Sequence, residues 1–227
     1  VEILLPHEAK EVELKVAFSA VDETSALQTL HNYQEENYST LKKRSQQNWE
    51  EQLAHILVEG NDAERQKLFY SLFYRTLQSP YKTSEDNGSF PGTDGKIHSG
   101  KGNRYHGWAI WDNYKTQLPL LALAFPARYQ DITILIADLY RYGKYDFVGP
   151  HEPANSVRLE HAAVVLLDAK NKGFKLDVKG IQDSLVKDTT RFDFSKPDKY
   201  LEAAYDMWAM AQLIPKDREH YLERSKT

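Results

Sequence analysis

The sequence predicts a mostly α-helical chain, a segment of an α/α toroid with a short β stretch at its N-terminus. Three observations carry this. Strict alternation of apolar and polar residues, the signature of a half-buried strand, is confined to the first twenty or so residues. Beyond them apolar residues recur at helical spacing in one stretch after another, joined by loops that carry polar and aromatic residues. No fixed-period repeat is visible, which favours stacked helical hairpins over a solenoid.

Taken in order, Val12, Leu14, Val16 and Phe18 alternate with Glu13, Lys15 and Ala17, and residues 1–5 offer a partner strand. Two strands alone are marginal, so the pair reads as the edge of a further β domain. Asp22 suits the N-cap of a helix through Leu27, Leu30 and Tyr33. A second helix over 38–58, rich in Lys, Gln and Glu, reads as a linker. Asn61 or Asp62 suits the cap of a third, in which Leu68, Phe69, Leu72, Phe73 and Leu77 recur up to Pro80. Over 84–107 the turn signals crowd together, with Asp86-Asn87-Gly88, Pro91-Gly92 and Asp94-Gly95, and predict a long ordered loop or short hairpin of the kind that often carries function. Further helices are predicted over 109–125, 128–142, 156–172 and 199–213, with a shorter one over 181–190 and a charged one after Pro215.

With 41% apolar and 12% aromatic residues, the 227-residue chain can bury a sizeable core. A net charge of -4, with Lys and Arg scattered along the helices, supplies no basic patch, so no nucleic-acid partner is expected. The longest apolar runs, such as 118–125, fall far short of the roughly 20 residues of a membrane span. Absence of cysteine excludes disulfides and thiolate metal sites. The chain opens on Val1 without initiator Met or signal peptide and closes in a charged stretch, which reads as a piece of a longer polypeptide.

Three clusters combine carboxylates, histidines and aromatic rings, the groups that bind sugars: rings stack on apolar C–H faces, while carboxylates and Arg take paired hydroxyls. In the stretch 105–114, Trp108, Trp111 and Asp112 share a helical face; the alternative is core packing, with Asp112 on a backbone amide. The second cluster is Pro150-His151-Glu152-Pro153 with Asn155, Arg158, Glu160 and His161, where the prolines keep the backbone extended; it reads equally as a helix cap with surface ion pairs. In the third, Glu202 and Asp206 lie four apart beside Tyr205, with Ala203 and Ala204 permitting close approach. A carboxyl among aromatics has its neutral form favoured, as a general acid requires, whereas a solvated acidic face gives the same spacing.

Several runs, in order, resemble consecutive motifs of glycoside hydrolase family 92. They are Phe69-Tyr70-Ser71-Leu72-Phe73-Tyr74-Arg75-Thr76-Leu77-Gln78-Ser79-Pro80, Phe90-Pro91-Gly92-Thr93-Asp94-Gly95-Lys96-Ile97-His98 and Trp111-Asp112-Asn113-Tyr114-Lys115-Thr116. Leu201-Glu202-Ala203-Ala204-Tyr205-Asp206-Met207-Trp208-Ala209 is similar to the family's carboxylate-bearing helix, and the resemblance covers residues 12 to about 213. Complete members are calcium-dependent, exo-acting α-mannosidases with a β-sandwich, a helical linker and an (α/α)6 catalytic barrel. The resemblance thus implies a mostly α chain in which residues 1–21 are the last sandwich strands, 22–60 the linker and 61–227 the N-terminal part of the (α/α)6 toroid.

It also implies inversion at the anomeric carbon, with a protonated Glu serving the leaving oxygen and a carboxylate across the ring activating water. By motif match Glu202 is the catalytic acid and Asp112 contacts the terminal sugar; Trp111, His151, Glu152, Arg158 and Asp206 are further expected to bind substrate. Trp111, Asp112, Glu152 and Glu202 are expected to converge on one cleft. Ca2+ is the implied cofactor, without assigned ligands. The family's base-bearing motif lies well beyond its acid, so the base is expected outside these residues, which alone should be inactive. A mannose-containing glycan, terminal and α-1,2-linked, is the implied partner together with the rest of the same polypeptide, in the periplasm, at the cell surface or secreted. The spacing between Asp112 and Glu202 is shorter than in typical members, and 151–161 matches only loosely. The alternatives are another α/α-toroid glycosidase and a non-catalytic glycan-binding helical module.

Overall fold

The structure is a computed structural model that describes residues 12–92, 96–106, 110–142, 161–189 and 195–226. The first three helices each begin at a side-chain cap, two of them, at Asp22 and Asp62, where the sequence places one. Helix α1 (Glu23–Asn32) begins at Asp22, whose carboxylate accepts the Ser25 amide at 2.7 Å and is held below its ordinary pKa by that bond. Helix α2 (Tyr38–Leu53) begins at Asn37, which accepts the Thr40 amide at 2.9 Å, and α3 (Ala63–Thr76) at Asp62, which accepts the Arg65 amide at 3.0 Å. Each cap satisfies an amide that the first helical turn leaves without a partner. The second helix ends at Leu53 rather than near residue 58; His55 instead turns its Nδ1 to the Ala124 carbonyl at 2.9 Å.

The strand expected over 12–18 does not form. The segment runs without ladder hydrogen bonds, and Phe18, 88% exposed, leads an outward row with Val12, Leu14 and Val16. Period-two alternation aims the side chains but cannot make a sheet without a neighbour, and among the described residues none pairs with it. Lys15 ties the segment to the end of α1 by donating to the Gln34 carbonyl at 2.6 Å.

The sheet structure lies in the glycine-rich region instead. Strands β1 (Tyr81–Lys82) and β4 (Tyr105–His106) pair antiparallel, and β2 (Ser89–Pro91) and β3 (Ile97–Ser99) pair antiparallel between them in sequence. Gly88, at φ 84, makes the turn into β2, and the Asn87 side chain accepts the Ser89 amide at 2.9 Å.

Helix α4 (Ile110–Asn113) is separated from α5 (Gln117–Ala124), where the sequence pattern predicts one helix. Pro119 explains the break. It has no N–H to give the Lys115 carbonyl, so it interrupts a continuous helix but fits the first turn of a new one, where that amide has no partner in any case. Then come α6 (Pro126–Tyr142), α7 (Ala162–Asn171), α8 (Gln182–Thr189), α9 (Pro197–Leu213) and α10 (Arg218–Arg224).

Neighbouring helices pack in succession, α5 on α6, α6 on α7, α7 on α9 and α9 on α10. Residues 162–167 of α7 are all buried, so this helix is covered on every side. Leu121, Ile132, Ile136, Leu166, Met207 and Ala209 form the centre of the core. Such a succession of helical layers is part of an α/α toroid, with little strand.

The β loop is fastened to α6. Asp131 accepts the Asn103 amide at 3.1 Å, and buried Asp138 lies 3.5 Å from Arg104 and 3.3 Å from Arg141. The Arg104 guanidinium also lies over the Phe90 ring, 4.7 Å from its centroid. Burial raises the Asp138 pKa, and Arg104, Arg141 and His98 draw it part of the way back.

Candidate active site

Two elements far apart in sequence build the site. Trp111 lies on the short helix α4, and Glu202 in the second turn of α9, which Pro197 opens. The Trp111 indole N–H donates to Glu202 Oε1 at 2.7 Å. On the same face of α9, one turn earlier, Lys199 Nζ is 4.0 Å from Glu202 Oε2. The Glu202 side chain is 16% exposed, which shields it from bulk water while leaving an approach. Asp112, next to Trp111, is exposed on the same short helix.

Asp206 lies one turn further along α9 and is buried. Its Oδ2 accepts the backbone N–H of His161 at 3.1 Å, and its Oδ1 lies 3.4 Å from His161 Nδ1. His161 precedes α7 in a left-handed conformation, φ 69, which non-glycine residues adopt only when their surroundings fix it. Its ring lies against Tyr114, centroids 4.5 Å apart, and Tyr205, 5.4 Å. The pair therefore locks the start of α7 to α9 directly below Glu202 in the helix.

An aromatic wall continues the site outward. Tyr205 stacks on Trp208 with centroids 5.6 Å apart and planes at 21°, and Tyr114 approaches Tyr205 at 6.2 Å. Burial, followed by Tyr114, Asp206 and Asp168, raises the Tyr205 hydroxyl pKa, so it stays a neutral donor. Both Tyr205 and Trp208 remain partly exposed, and ring faces of this kind are platforms for the C–H face of a sugar.

The structure thus brings Trp111, Asp112 and the carboxylates of α9 to adjoining elements. His151, Glu152 and Arg158, expected to bind substrate, lie outside the described residues, as does Trp108. Lys199 escaped the sequence reading although its three-residue spacing from Glu202 was available as a signal. The His161–Asp206 contact had no local signal, since 45 residues separate the partners.

A separate open cleft of about 940 Å3 is lined by Trp49, His55, Tyr81, Tyr105 and Arg128 among others and shares no lining residue with the site. Its guanidinium is engaged structurally, with Arg128 donating to the carbonyls of Leu77 at 3.2 Å and Pro80 at 2.7 Å. Among the described residues no group of three or more His, Cys, Asp or Glu side chains gathers as metal ligands.

Residues 25–227 match the Glycosyl hydrolase family 92 catalytic domain. No curated protein matches the chain. Among solved structures it is similar to the GH92 family glycosyl hydrolase ccman5, with a TM-score of 0.78 at 22% identity, covering 91% of this chain and 31% of that one. It is also similar to a family GH92 alpha-mannosidase from Bacteroides thetaiotaomicron, with a TM-score of 0.73 at 20% identity, over 91% of this chain and 32% of that one. The complex of that enzyme with mannoimidazole gives a TM-score of 0.72 at 20% identity, over 91% and 31%. These likenesses show the fold, and the chain spans about a third of the length of the structures it matches. Since the match to the catalytic domain runs over residues 25–227, nearly the whole sequence, the chain belongs to glycosyl hydrolase family 92.

Proposed function

We propose that this chain contributes the acid-bearing part of an inverting, exo-acting α-mannosidase that removes terminal α-1,2-linked mannose from glycans. The observation that carries the reading is the Trp111–Glu202 hydrogen bond, which joins two motifs 91 residues apart into one partly shielded carboxyl site beside exposed rings. Family membership supplies the reaction class. Residues 1–21, 22–60 and 61–227 then serve as sandwich end, linker and first part of the barrel.

In the reaction, protonated Glu202 gives its proton to the glycosidic oxygen while the bond from that oxygen to C1 breaks. A carboxylate outside this chain takes a proton from water, whose oxygen bonds C1 on the opposite face; inverting pairs stand about 6.5 to 9.5 Å apart to admit that water. Asp112 binds hydroxyls of the terminal sugar. Calcium belongs to the reading through the family alone, and no step is assigned to it. Through the family alone, the reading puts the enzyme in the periplasm, at the cell surface or outside the cell.

The test is to follow hydrolysis of α-1,2-mannobiose by proton NMR, using the longest native polypeptide that carries this sequence. β-Mannose should appear first and equilibrate to the α-anomer. Initial α-mannose would contradict inversion, and no mannose released from any α-linked mannobiose would overturn the substrate.

A further inference from the structure

Resting on the assignment of Glu202 as the acid, we infer that Trp111 is its positioning residue: the indole N–H fixes Oε1 and thereby makes Oε2 the oxygen that delivers the proton. An indole N–H can only donate. At 2.7 Å from Oε1 it selects the carbonyl oxygen of the protonated carboxyl, because the hydroxyl oxygen is the poorer acceptor. The proton therefore resides on Oε2.

A glutamate has three rotatable side-chain bonds, and fixing one oxygen removes most of the freedom that would scatter the other. The anchor is well placed for this, since it stands on a different helix, α4, and not on α9 itself. Mostly shielded from solvent, the bond acts in a medium where it is stronger than in water.

The contact also changes during the step. As the Oε2–H bond breaks and the new bond from hydrogen to the glycosidic oxygen forms, the C1–O electron pair leaves with that oxygen and negative charge spreads over both carboxylate oxygens. The indole bond to Oε1 becomes charge-assisted, and Lys199, 4.0 Å from Oε2, faces the same growing charge. Both interactions are stronger in the transition state than in the ground state, so they raise kcat rather than substrate affinity. Solvent afterwards returns a proton to Glu202 and removes one from the base, which closes the balance.

This role differs from that of a stacking platform for sugar, which would act mainly on KM. Two variants of the native full-length enzyme separate them. Trp111→Phe keeps an aromatic ring, and replacement of Trp111 by benzothienylalanine keeps the bicyclic shape and removes the N–H alone. On α-1,2-mannobiose, a poor leaving group, kcat should fall about 10- to 100-fold in both with KM unchanged. On a dinitrophenyl α-mannoside, whose leaving oxygen needs no proton, kcat should stay within about 3-fold.

Wild-type kcat on the disaccharide for the benzothienylalanine protein would overturn the inference, as would equal losses on both substrates with raised KM. Glu202→Gln, measured alongside, keeps the two claims apart. If it retains disaccharide activity, the acid assignment itself fails; if it loses that activity while the Trp111 variants do not, only the positioning role falls.

Discussion

Glu202 and Asp206 are one helical turn apart on α9 and meet different surroundings. Glu202, at the partly open end, accepts the Trp111 indole, whereas Asp206 is buried against His161 and carries the backbone of the turn that starts α7. Spacing alone put both on one face and could not tell them apart, because depth in the fold is set by which distant segment covers each side chain. Their roles should separate in experiment. Asp206→Ala leaves the buried His161 amide without its acceptor and opens a small void, which should cost about 1 to 3 kcal/mol in urea unfolding. Glu202→Gln, which keeps an acceptor for the indole, should shift stability by less than about 1 kcal/mol. A destabilisation by Asp206→Ala no larger than that of Glu202→Gln would contradict the assignment of Asp206 as the lock between the two helices.

At the scale of elements, capping chemistry was legible at Asp22 and Asp62, which start α1 and α3, while the cap of α2 at Asn37 was not singled out, although all three act through an amide three residues on. The stop near Leu53 and the break before α5 were not legible, since periodicity shows where apolar residues fall and not where a carbonyl loses its partner. The strand at 12–18 did not form for a complementary reason: among the described residues no segment pairs with it, and its expected partner at 1–5 lies outside them. The loop of β1 to β4 shows how a polar contact invisible in the sequence can hold an element. Asp138 fastens it through Arg104, yet burial raises the Asp138 pKa above the ordinary 3.8. In the interval between the unfolded and the raised folded value, the folded state binds more protons than the unfolded chain. This contribution to stability is therefore fully present at low pH and is lost as pH rises through the folded value. Arg104→Met removes the first of the charges that draw the value back down, pushes it higher and extends the loss. Urea midpoints of that variant should fall more steeply than wild type as pH rises across the mildly acidic range, and parallel slopes would show that Arg104 is not the effective partner.

For the whole molecule, a succession of packed helices with α7 buried at its centre was readable from helical periodicity repeated along the chain, because each amphipathic stripe needs another helix to cover it. The assembly of the site was readable only in part. Trp111, Asp112 and Glu202 stood out as residue types in ordered motifs, but the contact of Trp111 with Glu202 is a property of the toroid, which folds α4 against α9. Several apolar side chains remain outside, including Leu123 at 82% exposure and Leu201 at 69%. Under the proposed reading the remainder of the polypeptide covers them, completes the pocket and brings the base. The central claim is that Glu202 protonates the leaving oxygen, and it is tested most directly by the leaving-group dependence of Glu202→Gln in the native full-length enzyme. Hydrolysis of α-1,2-mannobiose should fall by about 10² to 10⁴-fold in kcat while a dinitrophenyl α-mannoside loses far less. Unchanged hydrolysis of the disaccharide, or an equal loss on both substrates, would contradict it.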